Sequence, residues 1–116
     1  MPSIRAVMFF TTDPEAQCRW WAEHMIGGEP KSEGPFWWLD GDDGIEVGFH
    51  PADDGRNPLG LTPVVYWKAP GGVEERLHEL EVAGCTRHRG PLEVESGRRI
   101  CQVIDPFGNC FGLDGP

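Results

Sequence analysis

The closing stretch of the chain, Ile100 to Leu113, narrows the possible folds most sharply. It reads as strand, tight turn, strand. Ile100, Val103, Ile104, Phe111 and Leu113 put β-branched and aromatic bulk on both sides of a break at Asp105-Pro106-Phe107-Gly108-Asn109. Pro106 fixes φ at the first corner, Asp105 can bond the backbone two residues on, and Gly108 and Asn109 tolerate positive φ. A four-residue turn, Asp105 to Gly108, would place Val103 opposite Cys110 and Cys101 opposite Gly112. Residues paired across a ladder share a face. Cys101, Val103, Cys110 and Gly112 are therefore expected on one side, with Phe111 and Leu113 on the helix side.

Upstream, the same elements occur twice. Ile4 to Phe10 is an apolar strand. Thr12 or Asp13 can cap a helix that starts at Pro14, with Glu15 at its positive end, and runs to about Met25. Cys18, Trp21, Ala22 and Met25 form its apolar face, and Gly27-Gly28 ends it. Glu29 to Gly34 is an edge-like stretch, Phe36 to Leu39 a strand, and Gly41 to Gly44 a turn. Ile45 to His50 alternates, with Ile45, Val47 and Phe49 on one face and Glu46, Gly48 and His50 on the other. Pro51 to Gly60 is a polar linker. Val64 to Lys68 then reads as a strand, and Val73 to Ala83 as a helix with Val73, Leu77, Leu80 and Gly84 on one face. Thr86 to Glu95 holds an irregular strand around Pro91, and Ser96-Gly97 turns the chain into the closing hairpin. Each half is thus strand, helix, strand, strand, strand, with module one spanning about 1–52 and module two about 61–116. Laying Gly48 on Gly112 sets Val47 on Phe111 and Phe49 on Leu113.

A tandem βαβββ repeat closed by Asp-Pro-Phe-Gly-Asn and a short apolar strand resembles the vicinal oxygen chelate superfamily. That superfamily includes glyoxalases, bleomycin resistance proteins and extradiol dioxygenases. The helix from Asp13 through Trp20-Trp21 to Met25, and the second helix ending in Ala83-Gly84, are similar to its two helices. The resemblance implies an α+β fold of two modules, whose curved mixed sheets form a cup with helices on the outer face.

Enzymes of that superfamily hold a divalent metal in the cup through His or Gln, Glu, His and Glu. Such a set suits a dication with open positions for substrate oxygens. Carried over one at a time, the positions fall on Ala6, Gly48, Val64 or Val65, and Gly112. None has a ligating side chain. No metal and no cofactor are therefore expected. Glu46 and His50 stand two residues apart, about 6.5 Å along a strand, and could straddle one ligand without making a firm metal site.

The tryptophans suggest another use. Of the five tryptophans, adjacent Trp37 and Trp38 point to opposite faces of a strand, so one should face the cup. Trp67 or Tyr66 should do the same in module two. Core or interface packing would use the same residues. An aromatic wall beside Glu46, in a chain of net charge −9, suits a planar or cationic molecule held by stacking and cation–π contact. Gly48 and Gly112 are expected to leave room for it. The candidate binding residues are Glu46, Gly48, His50, Trp37, Trp38, Tyr66, Trp67, Cys101, Cys110 and Gly112.

Two functions follow from the resemblance. One is a metal-free binder of a small aromatic or cationic compound, of the bleomycin-resistance type. The other is a lyase, isomerase or dioxygenase of the glyoxalase type with a rearranged metal site. A homodimer is expected, because exposed tryptophans otherwise leave an apolar patch. The acidic balance argues against nucleic acid, which needs Lys and Arg at phosphates. No apolar run approaches the ~20 residues of a membrane span. The four cysteines form no CxxC pair and read as reduced thiols of a cytoplasmic protein.

Overall fold

The computed structural model describes residues 4–55, 57–60, 63–94 and 97–116, with Asp43 described by its backbone alone. Part of the expected Ser96-Gly97 turn lies outside the described residues, as does Glu95 at the end of the expected sixth strand. The chain divides into two compact units, Met1–Thr62 and Pro63–Pro116.

Module one runs β1 (Ala6–Thr11), α1 (Pro14–Trp21), β2 (Lys31–Glu33), β3 (Phe36–Asp40) and β4 (Glu46–Pro51). Its sheet has the order β1-β4-β3-β2. β1 and β4 are parallel, and the other pairs antiparallel. Asp13 is the cap of α1, with the Ala16 N–H donating to its carboxylate at 3.1 Å. Pro14 then loses nothing, because an N–H in the first turn has no helical partner. The helix was expected to continue to Met25 as one α-helix. Instead its last turn, Ala22–Ile26, widens to a π-helix, in which the Gly27 N–H reaches the Ala22 carbonyl at 2.9 Å. Gly27, at φ 81°, ends it.

Alternation along the strands sorts the two faces of this sheet. Val47 pairs with Val7 and Leu39, and Phe49 with Phe9 and Trp37. These residues point toward α1. Trp21 is fully buried there, its ring 5.0 Å from Phe9 and 6.1 Å from Phe49. Cys18 is buried beside it, and burial pushes its thiol up to about 11.

Module two repeats the topology: β5 (Tyr66–Lys68), α2 (Val73–Val82), β6 (Thr86–Glu93), β7 (Arg99–Ile104) and β8 (Cys110–Gly115), in the order β5-β8-β7-β6. Again the first and last strands are parallel. Gly72, at φ 117°, precedes α2, and Glu74 and Glu75 occupy its positive end. Val73, Leu77 and Leu80 are buried on the sheet. β5 is shorter than expected, leaving Val64 and Val65 outside it, although the Val65 carbonyl still accepts from the Gly112 N–H at 2.9 Å.

The closing hairpin differs from expectation by one residue of register. Ile104 pairs with Cys110, Val103 with Phe111, Gln102 with Gly112 and Cys101 with Leu113. The loop is therefore Asp105 to Asn109, five residues. Asp105 explains the extra one. It is buried, and its carboxylate accepts from the Phe107 N–H at 2.9 Å and the Asn109 N–H at 3.0 Å. The Asp105 N–H in turn donates to the Asn109 carbonyl at 2.8 Å. Asn109 is thus drawn into the turn and cannot start the strand. Because side chains alternate with period two, the shift moves one whole strand across the sheet. Cys101 and Val103, expected on the open side, lie under α2 with Phe111 and Leu113. Cys110 and Gly112 keep the expected side, but opposite Ile104 and Gln102.

Candidate functional site

With each helix covering one face of its sheet, the other faces hold what remains. In module one that face carries Met8, Phe10, Phe36, Trp38, Glu46, Gly48 and His50, by the pairings Met8 with Gly48, Phe10 with His50 and Trp38 with Gly48. The rings form a connected cluster. Phe36 and Trp38 are stacked, with centroids 5.2 Å apart and planes 17° from parallel. His50 lies 6.1 Å from Phe36, and Phe10 meets His50 edge-on at 6.4 Å. Phe10, Phe36 and Trp38 are partly exposed, and His50 is exposed. The His50 Nδ1 is 3.1 Å from the Pro51 carbonyl, an acceptor that favours a proton on that nitrogen and leaves Nε2 for another partner. Glu46 is half-buried on the same face.

Trp38 is therefore the tryptophan of the open face. Trp37 lies on the helix side, where the Arg19 guanidinium sits 5.3 Å above its ring. Phe36, Phe10 and Met8 were not singled out from sequence. Phe36 was findable, because it stands two residues before Trp38 on one strand.

Gly48 does not leave the expected space. A Cβ there would stand 2.8 Å from Phe36 Cε1 and 3.0 Å from the Met8 Sδ and methyl group. These two side chains fill the volume instead of leaving it open. Gly112 is similar: a Cβ would stand 2.3 Å from Tyr66 Cδ1. The register also corrects the first-strand neighbours expected for these glycines, Ala6 and Val64 or Val65. Beside Gly48 on β1 stands Met8, while Ala6 stands beside Glu46; beside Gly112 on β5 stands Tyr66, beyond Val64 and Val65.

In module two, Tyr66 shares the open face with Gln102, Cys110 and Gly112. Gln102 Nε2 donates to the Tyr66 hydroxyl at 2.8 Å, and the Cys110 thiol lies 4.0 Å from Gln102 Oε1. Trp67, paired with Leu113, lies on the helix side, as does Cys101. Burial raises the pKa of both Cys101 and Cys110, so neither is a ready thiolate. All four cysteines are free.

The ten expected binding residues thus fall into three groups. Glu46, Gly48, His50 and Trp38 share the open face of module one. Tyr66, Cys110 and Gly112 share that of module two. Trp37, Trp67 and Cys101 lie under the helices. Among the described residues, no three His, Cys, Asp or Glu side chains gather closely enough to hold a metal ion, and no helix is long and apolar enough to cross a membrane.

No family model matches the chain, and neither does any curated protein. Solved structures do. A glyoxalase/bleomycin resistance protein/dioxygenase family enzyme from Burkholderia phytofirmans PsJN superposes with a TM-score of 0.80 at 17% identity, covering 98% of each chain. The chain has the vicinal oxygen chelate fold. A member of the same superfamily from Sphaerobacter thermophilus DSM 20745 gives 0.75 at 20% identity, over 100% of this chain and 98% of that one. TnmS3, an antibiotic binding protein from Streptomyces sp. CB03234, gives 0.75 at 16% identity, over 100% and 97%. At such identities the likeness concerns the fold alone. The repeated sheet order of the two modules is this fold's βαβββ unit used twice.

Proposed function

We propose that the protein is a metal-free binder of a small planar aromatic or cationic compound, held against the aromatic face of module one. One observation carries this reading: the Phe36–Trp38 stack, continued through His50 to Phe10, is partly exposed on the face opposite α1. A flat ring laid on such a stack gains area burial and face-to-face or edge contacts. A positive charge near Trp38 gains a further ~0.5–2 kcal/mol from the ring quadrupole. Glu46 on the same face and the net charge of −9 favour a cation over an anion. The fold is shared with an antibiotic binding protein, which supports ligand capture as a use for this architecture. The paired positions on the first and last strands, Met8 with Gly48 and Tyr66 with Gly112, carry neither an imidazole nor a carboxylate, which favours binding over metal-assisted catalysis.

Calorimetric titration with a planar aromatic cation, its neutral isostere and its anionic counterpart tests the reading. The cation should bind most tightly. Trp38→Ala should weaken it about tenfold or more, the equivalent of ~1.4 kcal/mol, while Trp37→Ala should leave affinity within about twofold. Equal binding of all three probes, or indifference to Trp38→Ala, would sink the proposal. So would one firmly held transition metal per chain in elemental analysis. A homodimer belongs to the same reading, since it would shield apolar sheet surface; light scattering at the mass of a single chain would remove that part.

A further inference from the structure

Module two holds a second hollow, chemically unlike the aromatic face of module one. It is lined by Tyr66, Arg89, Leu92, Ile100, Cys101 and Gln102. We propose that this hollow binds a small organic carboxylate, with the Arg89 guanidinium and the Tyr66 hydroxyl as its donors.

The local backbone turns Arg89 into position. β6 pairs with β7 through two register shifts, one between Arg87 and Arg89 and the other between Arg89 and Leu92. Bulges of this kind re-aim a side chain and are frequent beside functional sites. Gly90 makes the second shift possible. Its φ is +81°, and a Cβ there would stand 2.9 Å from the Ile100 carbonyl oxygen, so only glycine lets β6 approach β7 so closely. Arg89 ends opposite Gln102, on the face of Tyr66.

Its charge is available. Among the described residues of module two, Arg76, Arg87, Arg98 and Arg99 each meet a carboxylate, from Glu79, Glu81, Asp114 and Glu74 respectively. Arg89 meets none, although acidic residues outnumber basic ones by 19 to 10. A guanidinium offers a planar fork of N–H groups that matches the two oxygens of a carboxylate.

The second donor follows from hydrogen-bond bookkeeping. The Tyr66 oxygen accepts from Gln102 Nε2 at 2.8 Å. A phenol that accepts in this way still has its own O–H to give. Gln102 thus holds the ring and turns the hydroxyl into a donor. Leu92 and Ile100, paired across the strands, supply apolar contact for the ligand's body. Asp114, paired with Ile100 on that face, is engaged by Arg98 at 2.9 Å, so it repels an incoming anion less than a free carboxylate would. None of these residues belongs to the aromatic face of module one, and the probe has the opposite charge. The two readings can therefore fail separately.

The test is a proton–nitrogen NMR titration of the full chain with sodium benzoate, benzamide and sodium chloride at matched ionic strength. Benzoate should give saturable shifts at the Arg89 Nε–H and the Gln102 side-chain amide. Benzamide should bind about tenfold more weakly, as loss of a charge-assisted fork implies. Arg89→Gln should abolish the saturable shifts. Arg89→Lys should restore only part of them, because a point charge replaces the fork, and Tyr66→Phe should weaken binding about threefold through loss of one hydrogen bond. Shifts reproduced by chloride, equal affinity for benzamide, or full binding by Arg89→Gln would overturn the proposal. If Arg89→Gln does not fold, the benzoate–benzamide difference and Arg89→Lys decide it.

Discussion

The two modules share a strand order, a helix on one face and a glycine in the last strand, yet their open faces hold opposite chemistry. Gly48 is roofed by Phe36 and Met8, within a stack that includes Trp38. Gly112 is roofed by Tyr66, whose hydroxyl is tied to Gln102 beside Arg89. Under the helices the modules agree: Phe49 and Val47 in one, Leu113 and Phe111 in the other, all buried to within 1% exposure. The difference teaches where each kind of constraint sits. The covered face is fixed by packing a helix on a sheet, whereas the open face is free to differ. Truncation should expose this contrast most strongly. Phe49→Ala and Phe111→Ala should each cost ~3–5 kcal/mol, as buried aromatic truncations do. Trp38→Ala, on a partly exposed ring, should cost well under half of that. Thermal melts of the three variants check the order; a Trp38→Ala loss equal to the other two would mean that the open face is a second core.

The glycines offer a finer comparison. At Gly48 a new Cβ meets the far end of Met8 and one edge atom of Phe36. The Met8 thioether can turn aside, because its side chain is long and flexible. At Gly112 the Cβ would lie within 2.9 Å of Tyr66 Cγ as well as 2.3 Å of Cδ1, so the whole ring must leave and its bond to Gln102 must break. Gly112→Ala should therefore cost ~1–3 kcal/mol, the range of overpacking, and Gly48→Ala clearly less. Adding Tyr66→Ala to Gly112→Ala should recover part of the loss. Chemical denaturation of the single and double variants measures it; simple additivity of the two substitutions would show that the ring is not what the Cβ meets.

The same contrast marks what the sequence could reveal. Period-two alternation from Ile45 to His50 sorted β4 correctly, and the strand–helix–strand–strand–strand order led to the fold. Both are repeated, local patterns. The hairpin register was not legible, because it turns on whether Asn109 closes the turn or opens the strand. That choice depends on the buried Asp105 carboxylate, which binds two backbone N–H groups of its own loop. Trp37 and Trp38 could be assigned to opposite faces but not to a particular one, since phase along β3 comes from pairing with β4. Arg89 was invisible for a related reason: two bulges displace it from the alternation that sequence patterns assume.

Buried thiols give the modules a shared response to alkali. Burial lifts Cys18 from 9.0 to about 11. In module two, burial and then the Asp105 charge lift Cys85 to about 12. An acid whose pKa is raised by folding keeps its proton in the native state while the unfolded chain loses it. Stability is then complete below the unfolded value of 9.0 and falls as pH rises toward the folded values. Denaturation midpoints should accordingly drop above pH 9.0, and Cys18→Ala and Cys85→Ala should each flatten the drop. The Cys85 variant should flatten it over the wider range. An unchanged slope in both would remove the thiols as its cause.

Exposed ion pairs should show the smallest difference between the modules. Lys31 meets Asp40 across the β2–β3 edge of module one, with both side chains about half exposed or more. Arg98 meets Asp114 at 2.9 Å in module two, where the aspartate side chain is only 29% exposed. Surface pairs contribute ~0.2–1 kcal/mol, because water screens the attraction and two long side chains must be held still. The lower exposure of Asp114 weakens that screening, and Arg98 donates from a planar group that loses less freedom on pairing. Asp114→Asn should therefore destabilise more than Asp40→Asn, with both losses within ~1 kcal/mol. Both should shrink in about 1 M salt, where the screening length falls to ~3 Å. Denaturant midpoints of the two variants, with and without salt, decide it. A larger effect at Asp40, or one indifferent to salt, would mean that something other than charge pairing holds the β2–β3 edge.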